Sequence, residues 1–205
     1  SIYSPTSELS EINRQAGREQ VHVSSDTAKM LQLSQKFGRV SNGAFDVTVG
    51  PLVQLWGFSG GRTPATLPGD DAIKQKRTLV NFQDIIIRKD MASLSRTGMK
   101  VDLGGIAKGF AVDVVWRELQ GRNARDFMVN LGGNMRCSGQ AESNRSWRVG
   151  VRNPFDRSSM LGAIDLPDGT SVSTSGNYER FVTIGGERYA HIIDPRTGRP
   201  VRGMA

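Results

Sequence analysis

A single cysteine, Cys137, stands in the chain of 205 residues, so an internal disulfide framework and a cysteine-built zinc site are both excluded. Histidine is nearly as scarce, with only His22 and His191, which rules out a histidine-rich metal cluster. No apolar run approaches the roughly 18 residues that a membrane-spanning helix needs. Zinc-finger, RNP-like and GXXG–helix patterns are absent too, and the arginines do not gather on one predicted helix. A pI near 10 would suit nucleic acid as a partner, and nothing in the pattern supports it.

What remains is a composition ordinary for a globular protein: 37% hydrophobic, 23% charged, with 24 glycines. The length suffices for one domain, or a two-lobed domain, with a real core. The net charge of +7 is spread evenly along the chain. Such a balance suits an anionic ligand or an acidic surface, and equally plain solubility. The chain opens at Ser1 with no signal peptide, and a targeting segment outside it stays open.

Local pattern predicts helices first. Ser7 can cap a helix through Glu8, Leu9, Glu11 and Ile12, with the acidic pair in its first turn. A second helix is predicted from Asp26 to about Gly38. Ala28, Leu31 and Gln35 lie on one line of it, and Met30, Leu33 and Phe37 on the next. Ser25 or Asp26 would cap it and Gly38 end it. The Gly- and Pro-punctuated stretch 57–71 reads as a loop. Ile85–Ile87 is a strand, with Ala92–Leu94 its partner beyond a turn at Lys89-Asp90. An apolar helix is predicted from Ile106 to Gln120, closed by Gly121, on Ile106, Phe110 and Val114 with Ala107, Ala111 and Val115.

Strands dominate the rest. Phe127–Asn130 runs into Leu131-Gly132-Gly133, and Trp147, Val149 and Val151 alternate with Arg148 and Arg152 as in a half-buried strand. Phe181–Ile184 and Arg188–Ile193 flank Gly185-Gly186-Glu187 as a hairpin. Helices followed by mostly antiparallel strands predict an α+β fold.

Five segments interrupt this pattern. The first, Gly43 to Pro51, leads into Leu52 and Leu55-Trp56-Gly57-Phe58, with Pro51 placed for the first turn of a helix. The second, Val101 to Gly109, would run from a short strand into a helix, where glycines allow an anion to approach the backbone. It has neither P-loop nor GxGxxG spacing, so it serves equally as a packing turn, and Lys108 within it suits a phosphate or plain solvent. The third, Asn130 to Asn134, is a sharp turn that also permits close backbone approach. The fourth, Ser173 to Tyr178, sets hydroxyls beside a glycine, for a ligand or for its own turns. Arg196-Thr197-Gly198 echoes the Lys-Thr-Gly of penicillin-binding enzymes, and no Ser-x-x-Lys nucleophile accompanies it. The fifth, His191 to Pro200, begins with the side chain best able to exchange a proton near neutral pH, although a lone histidine is commonly structural.

In order and spacing, GAFDVTVGPLVQLWGF, VDLGGIAKGFAVD, MVNLGGNMRCSG, SVSTSGNYERF and HIIDPRTGRP resemble the ApbE family, the FAD:protein FMN transferases. The opening Ile2-Tyr3-Ser4-Pro5-Thr6-Ser7-Glu8-Leu9 is similar to that family's early stretch, so the likeness spans about residues 2–200. The resemblance implies an α+β, T-fold-like domain of two lobes, with antiparallel sheet and flanking helices, over the whole of 1–205. It implies Mg²⁺-dependent cleavage of FAD and attachment of its FMN half to a threonine or serine of an acceptor flavoprotein, with AMP released. FAD binding without transfer, or FAD hydrolysis to FMN and AMP, are the alternatives.

By the same resemblance Tyr3, Ala44, Phe45 and Asp46 contact the flavin nucleotide. Asp102, Lys108 and Ile193 line its site, and the Gly105 carbonyl serves the metal. His191 handles the proton of the acceptor hydroxyl, and Ser173, Thr174 and Ser175 are further lining hydroxyls. The family's first strand, ahead of Tyr3, and its later Asp- and Thr-bearing metal segment have no counterpart in the chain. The implied setting is the periplasm or cell envelope, beside a respiratory or redox flavoprotein, with any membrane tie made by an anchor outside these residues.

Overall fold

The computed structural model describes residues 4–59, 64–156, 158–176 and 181–202. These form two compact units, one holding the chain up to Gly105 and again from Phe181, the other Ile106–Gly176.

The first unit opens with α1, Glu8–Arg14. Ser7 caps it by accepting from the Ser10 N–H, and Leu9 and Ile12 are buried. Strand β1 (Val21–His22) follows, then α2, Ser25–Val40, which is longer at both ends than periodicity predicts. Its cap is Ser24, whose side chain accepts from the Thr27 N–H, and not Ser25 or Asp26. Nor does Gly38 end it. Gly38 is buried in the last turns, where an added Cβ would stand 2.6 Å from the Phe82 ring. The helix instead closes through Asn42 and Gly43, both at positive φ, with the Gly43 N–H donating to the Gly38 carbonyl at 2.8 Å. Gly38, with Leu31 and Ser34, marks the buried face, while Phe37 of the expected second apolar line is 46% exposed.

Helix α3, Gly50–Leu55, carries Pro51 in its first turn as anticipated. Helix α4, Asp70–Arg77, was not expected. Its single buried residue, Ile73, gives no periodicity to read, and Asp70-Asp71 at its start with Lys74, Lys76 and Arg77 at its end suit the helix dipole. Strands β2 (Ile85–Arg88) and β3 (Met91–Leu94) form the foreseen hairpin, Lys89 taking a positive φ at its turn. With β1 they make an antiparallel sheet in the order β1-β3-β2. Val101 to Leu103 does not become a strand. Only an isolated parallel bridge between Val49 and Lys100 forms just ahead of it.

The second unit contains α5 (Ala107–Gly121), β4 (Phe127–Leu131), β5 (Asn134–Ser138), β6 (Trp147–Arg152), β7 (Met160–Leu166) and β8 (Ser171–Ser173). Strands β4-β5-β8 form one antiparallel sheet and β6-β7 another. Gly132 and Gly133, both at positive φ, make the two-residue turn between β4 and β5. Helix α5 buries only Val112, and Val114 and Val115 of its expected apolar lines stay exposed. Strand β7 escaped prediction because it lacks alternation, and six of its seven residues are exposed. The indole N–H groups of Trp116 and Trp147 donate to the Cys137 and Ser138 carbonyls at 2.9 and 3.0 Å, holding α5 and β6 to β5.

The chain then returns to the first unit. Strands β9 (Phe181–Ile184) and β10 (Glu187–Ala190) form the expected hairpin around Gly185-Gly186, and β11 (Ile193–Asp194) pairs with β12 (Arg199–Pro200). The expected strand Arg188–Ile193 is therefore broken at His191, which occupies a bend. Val182, Ile184 and Tyr189 of the hairpin bury against Leu52 of α3, Trp56 just after it and Ile73 of α4, and Ile193 packs against the same cluster. Among the described residues no helix is long and apolar enough to cross a membrane.

Candidate functional site

The turn after α2 fixes the first motif. Ala44 donates its N–H to the Ser41 carbonyl at 3.1 Å, and the Phe45 N–H donates to Ser41 Oγ at 2.9 Å. Ala44 is thereby left exposed and Phe45 half-buried.

Asp46, next in line, is buried at 7% exposure. Its Oδ1 accepts from the Thr48 N–H at 2.7 Å and the Thr48 hydroxyl at 2.6 Å, and its Oδ2 accepts from the Phe82 N–H at 2.9 Å. The Asn81 N–H donates to Thr48 Oγ1 at 2.8 Å, which ties the motif to the turn before β2. Burial pushes the Asp46 carboxyl above its ordinary pKa, against the opposing pull of the donors on Thr48 and Phe82. The side chain thus fastens backbone, and what the motif can offer a ligand is the exposed main chain around Ala44 together with the Phe45 ring.

The second motif lies alongside. The Asp102 N–H donates to the Val47 carbonyl at 2.7 Å. Asn13 of α1 grips neighbouring Val101 from both sides, accepting from its N–H at 2.7 Å and donating to its carbonyl at 3.0 Å. Asp102 Oδ1 accepts from the Gly104 N–H at 2.8 Å and so bends the chain toward Gly105. Gly105 is exposed, with the Phe45 ring pressed close: an added Cβ would lie 3.1 Å from Phe45 Cε2. Ala44, Phe45, Asp102 and Gly105 therefore form one cluster. Asn13 joins it as a supporting residue that the sequence did not reveal, because its partner lies 88 positions away.

The fifth motif is anchored from the other end of the first motif. Trp56, at the end of α3, donates its indole N–H to the Gly198 carbonyl at 2.9 Å, across 142 residues of chain. Arg77 donates to the Arg196 carbonyl at 2.8 Å, and Arg199 pairs with Asp70. Within the turn, Asp194 accepts from the Arg196 N–H at 2.9 Å and from its guanidinium at 3.0 and 3.2 Å. The guanidinium beside it holds the Asp194 carboxyl below its ordinary pKa. Gly198, at positive φ, leaves space that a Cβ could enter only within 2.8 Å of Ile73. His191 and Ile193 are half-buried, placed by the exit from β10 and the start of β11.

The remaining candidates belong to the second unit. Lys108 is exposed, with Nζ 3.5 Å from the Gly132 carbonyl. The Gly133 N–H donates to Asn130 Oδ1 at 3.1 Å, and the Ser173 hydroxyl donates to Asn134 Oδ1 at 2.8 Å. Lys108, the Gly132-Gly133 turn and the start of the Ser173–Ser175 segment are thus neighbours in this unit. Tyr3 lies outside the described residues.

Among the described residues no group of three His, Cys, Asp or Glu side chains could hold a metal ion. The oxygen donors at hand, the exposed Gly105 backbone and the Asp102 carboxylate, are of the hard type that Mg²⁺ prefers. They are too few for a protein cage, and they fit an ion that takes most of its ligands from outside these residues.

Paired antiparallel strands with flanking helices define a mixed α+β architecture. The ApbE family profile matches residues 1–205, and the chain belongs to the ApbE family. It is 36% identical over 201 residues to the FAD:protein FMN transferase of Vibrio cholerae, covering 98% of this chain and 60% of that protein. It is also 36% identical over 199 residues to the protein of the same name from Rhodobacter capsulatus, covering 96% of this chain and 38% of the relative. Among solved structures, the flavin transferase ApbE from Vibrio cholerae superposes with a TM-score of 0.85 at 35% identity, over 99% of this chain and 64% of that one. The ApbE protein from Thermotoga maritima gives 0.89 at 32% identity, over 99% and 65%. The chain therefore spans less than two thirds of the length of these relatives.

Proposed function

We propose that the protein is a flavin transferase that moves the FMN half of FAD onto a threonine or serine hydroxyl of an acceptor flavoprotein and releases AMP. The reading is supported by the names of the relatives and by one structural observation: the Val47–Asp102 hydrogen bond and the Phe45–Gly105 contact draw two separate motifs into one exposed cluster. The nucleotide's flavin end meets the Ala44–Phe45 backbone and ring, and its diphosphate meets the Asp102–Gly105 turn.

The chemistry is phosphoryl transfer, which asks the protein mainly for positioning and charge control. The acceptor oxygen forms a bond to the FMN phosphorus, and the bond from that phosphorus to the oxygen bridging to AMP breaks. His191 takes the hydroxyl proton during attack and passes it to solvent or to the departing AMP phosphate. The Gly105 carbonyl would serve as the main-chain ligand of a Mg²⁺ ion, which would supply charge neutralisation there. In this reading Tyr3 and Ile193 complete the nucleotide's surroundings, and Asp46 serves by fixing the Thr48 and Phe82 main chain beside the first motif. The acceptor belongs to a respiratory or redox flavoprotein of the periplasm or cell envelope.

The test incubates the protein with FAD, Mg²⁺ and a threonine-bearing acceptor, and weighs the acceptor by mass spectrometry. A gain equal to one FMN phosphoester supports the reading. FMN and AMP appearing without a heavier acceptor would assign hydrolysis instead, and FAD uptake with neither product would assign binding alone. His191→Ala should slow transfer by about 10²- to 10⁴-fold, the usual worth of a general base, with FAD affinity within threefold of wild type. Equal losses in both would make His191 a binding or folding element.

A further inference from the structure

We propose that Phe37 is a positioning residue for the nucleotide site, acting through Phe45 on the Gly104-Gly105 main chain. The inference rests on the flavin-nucleotide reading above and adds a residue that neither the motifs nor the family likeness singles out.

The buried face of α2 is carried by Thr27, Ala28, Leu31, Ser34 and Gly38, and Phe37 lies off that face at 46% exposure. A polar residue would serve that position as well for the helix alone. Its ring meets Phe45 edge-on, with centroids 6.1 Å apart and planes at 78°. That is the arrangement in which the positive edge of one ring faces the negative face of another.

Phe45 in turn fills the space beside Gly105, whose added Cβ would stand 3.1 Å from Phe45 Cε2 and 3.8 Å from Cζ. Gly105 does not have a positive φ, so its backbone would accept alanine and only the Phe45 ring resists one. The Phe45 backbone is already fixed by Ser41 and by the buried Asp46 beside it. What stays adjustable is the ring, and its edge-to-face contact with Phe37 sets its tilt. Phe37 thereby decides, through Phe45, how firmly the Gly104-Gly105 turn is held.

The experiment is a double-mutant cycle on the full chain between Phe37→Ala and Gly105→Ala, with Phe37→Tyr as the conservative variant. FAD binding is read by flavin fluorescence and folding by thermal melting. Phe37→Ala should raise the FAD dissociation constant about tenfold, the scale of one aromatic pair, and Phe37→Tyr should restore it to within about twofold. Gly105→Ala should lower the melting temperature by about 4 °C in the wild-type background through overpacking, and by less than half as much beside Phe37→Ala, where the Phe45 ring can swing aside. Equal drops in both backgrounds, or an affinity that Phe37→Tyr fails to restore, overturn the proposal. If the wild-type protein takes up no FAD, the transferase reading fails, and the melting cycle alone then decides whether Phe37 braces Gly105 through Phe45.

Discussion

The two units solve the same problem, holding polar turns in place, by opposite means. In the first, two of the fasteners are buried: Asp46 takes three donors away from solvent, and Trp56 at 2% exposure reaches the Gly198 carbonyl from inside the core. In the second, the turn at Gly132-Gly133 and the Ser173–Asn134 bond sit at the surface, and α5 buries only Val112. Phe155, Met160 and Leu161 there are 86%, 72% and 65% exposed. A buried polar fastener has no water to replace its partner, so its geometry is enforced, whereas an exposed one competes with solvent at every moment. The turns that Asp46 and Trp56 fasten should therefore stay rigid, and those of the second unit should open more easily.

The largest effect expected from this contrast is at Trp56. Trp56→Ala should cost about 3–5 kcal/mol, as for other large-to-small core changes, and lower the melting temperature by about 10 °C. A loss confined to the turn around Gly198, with the melt unchanged, would break the comparison. Asp46→Asn should cost about 1–3 kcal/mol in denaturant unfolding, because an amide nitrogen would replace an acceptor or leave a buried N–H unmatched.

The same residue gives a pH signature. Its folded pKa is raised by burial, so in the window from 3.8 up to that raised value the folded state holds the proton longer and stability falls as pH rises. Asp194 runs the other way. Its folded pKa is lowered by Arg196, so its stabilisation is present above 3.8 and is lost as pH falls through the lowered value. Unfolding curves collected across this range should show the falling limb above pH 3.8 vanish in Asp46→Asn.

The smallest effects belong to the second unit. Phe155→Ser should change stability by no more than about 0.5 kcal/mol, and amides of β6 and β7 should exchange faster than those of β2 and β3. Slow exchange in β7 would mean that its exposed face is not the weak point it looks.

The contrast also explains what could be read from sequence. The β9–β10 hairpin announced itself by Gly-Gly and the β2–β3 hairpin by strand-like runs about Lys89-Asp90, α1 by its Ser7 cap, and α2 and α5 by periodicity. Helix α4, with Ile73 as its one buried residue, and β7, with no alternation, offered no such signal. At the site, the residue types were legible and their duties less so. Asp46 stands in a ligand-like motif, yet only the fold reveals that both of its oxygens are taken by the chain itself. Asn13, Phe37 and the Gly198 carbonyl acquire meaning from partners far off in sequence or across a helix face, which no local pattern encodes.

The reach from Trp56 to Gly198 sets an order of events during synthesis. A ribosome will have delivered α3, α4 and the whole second unit before the strands that complete the first core emerge. Until then the indole of Trp56 and the side chains of Leu52 and Ile73 wait without β9 and β10 to cover them. Such late, distant closure is slow and leaves apolar surface open to wrong associations. A nascent chain stalled near Gly176 should bind holdase chaperones through its earlier third, and should release them once residues up to Pro200 have emerged.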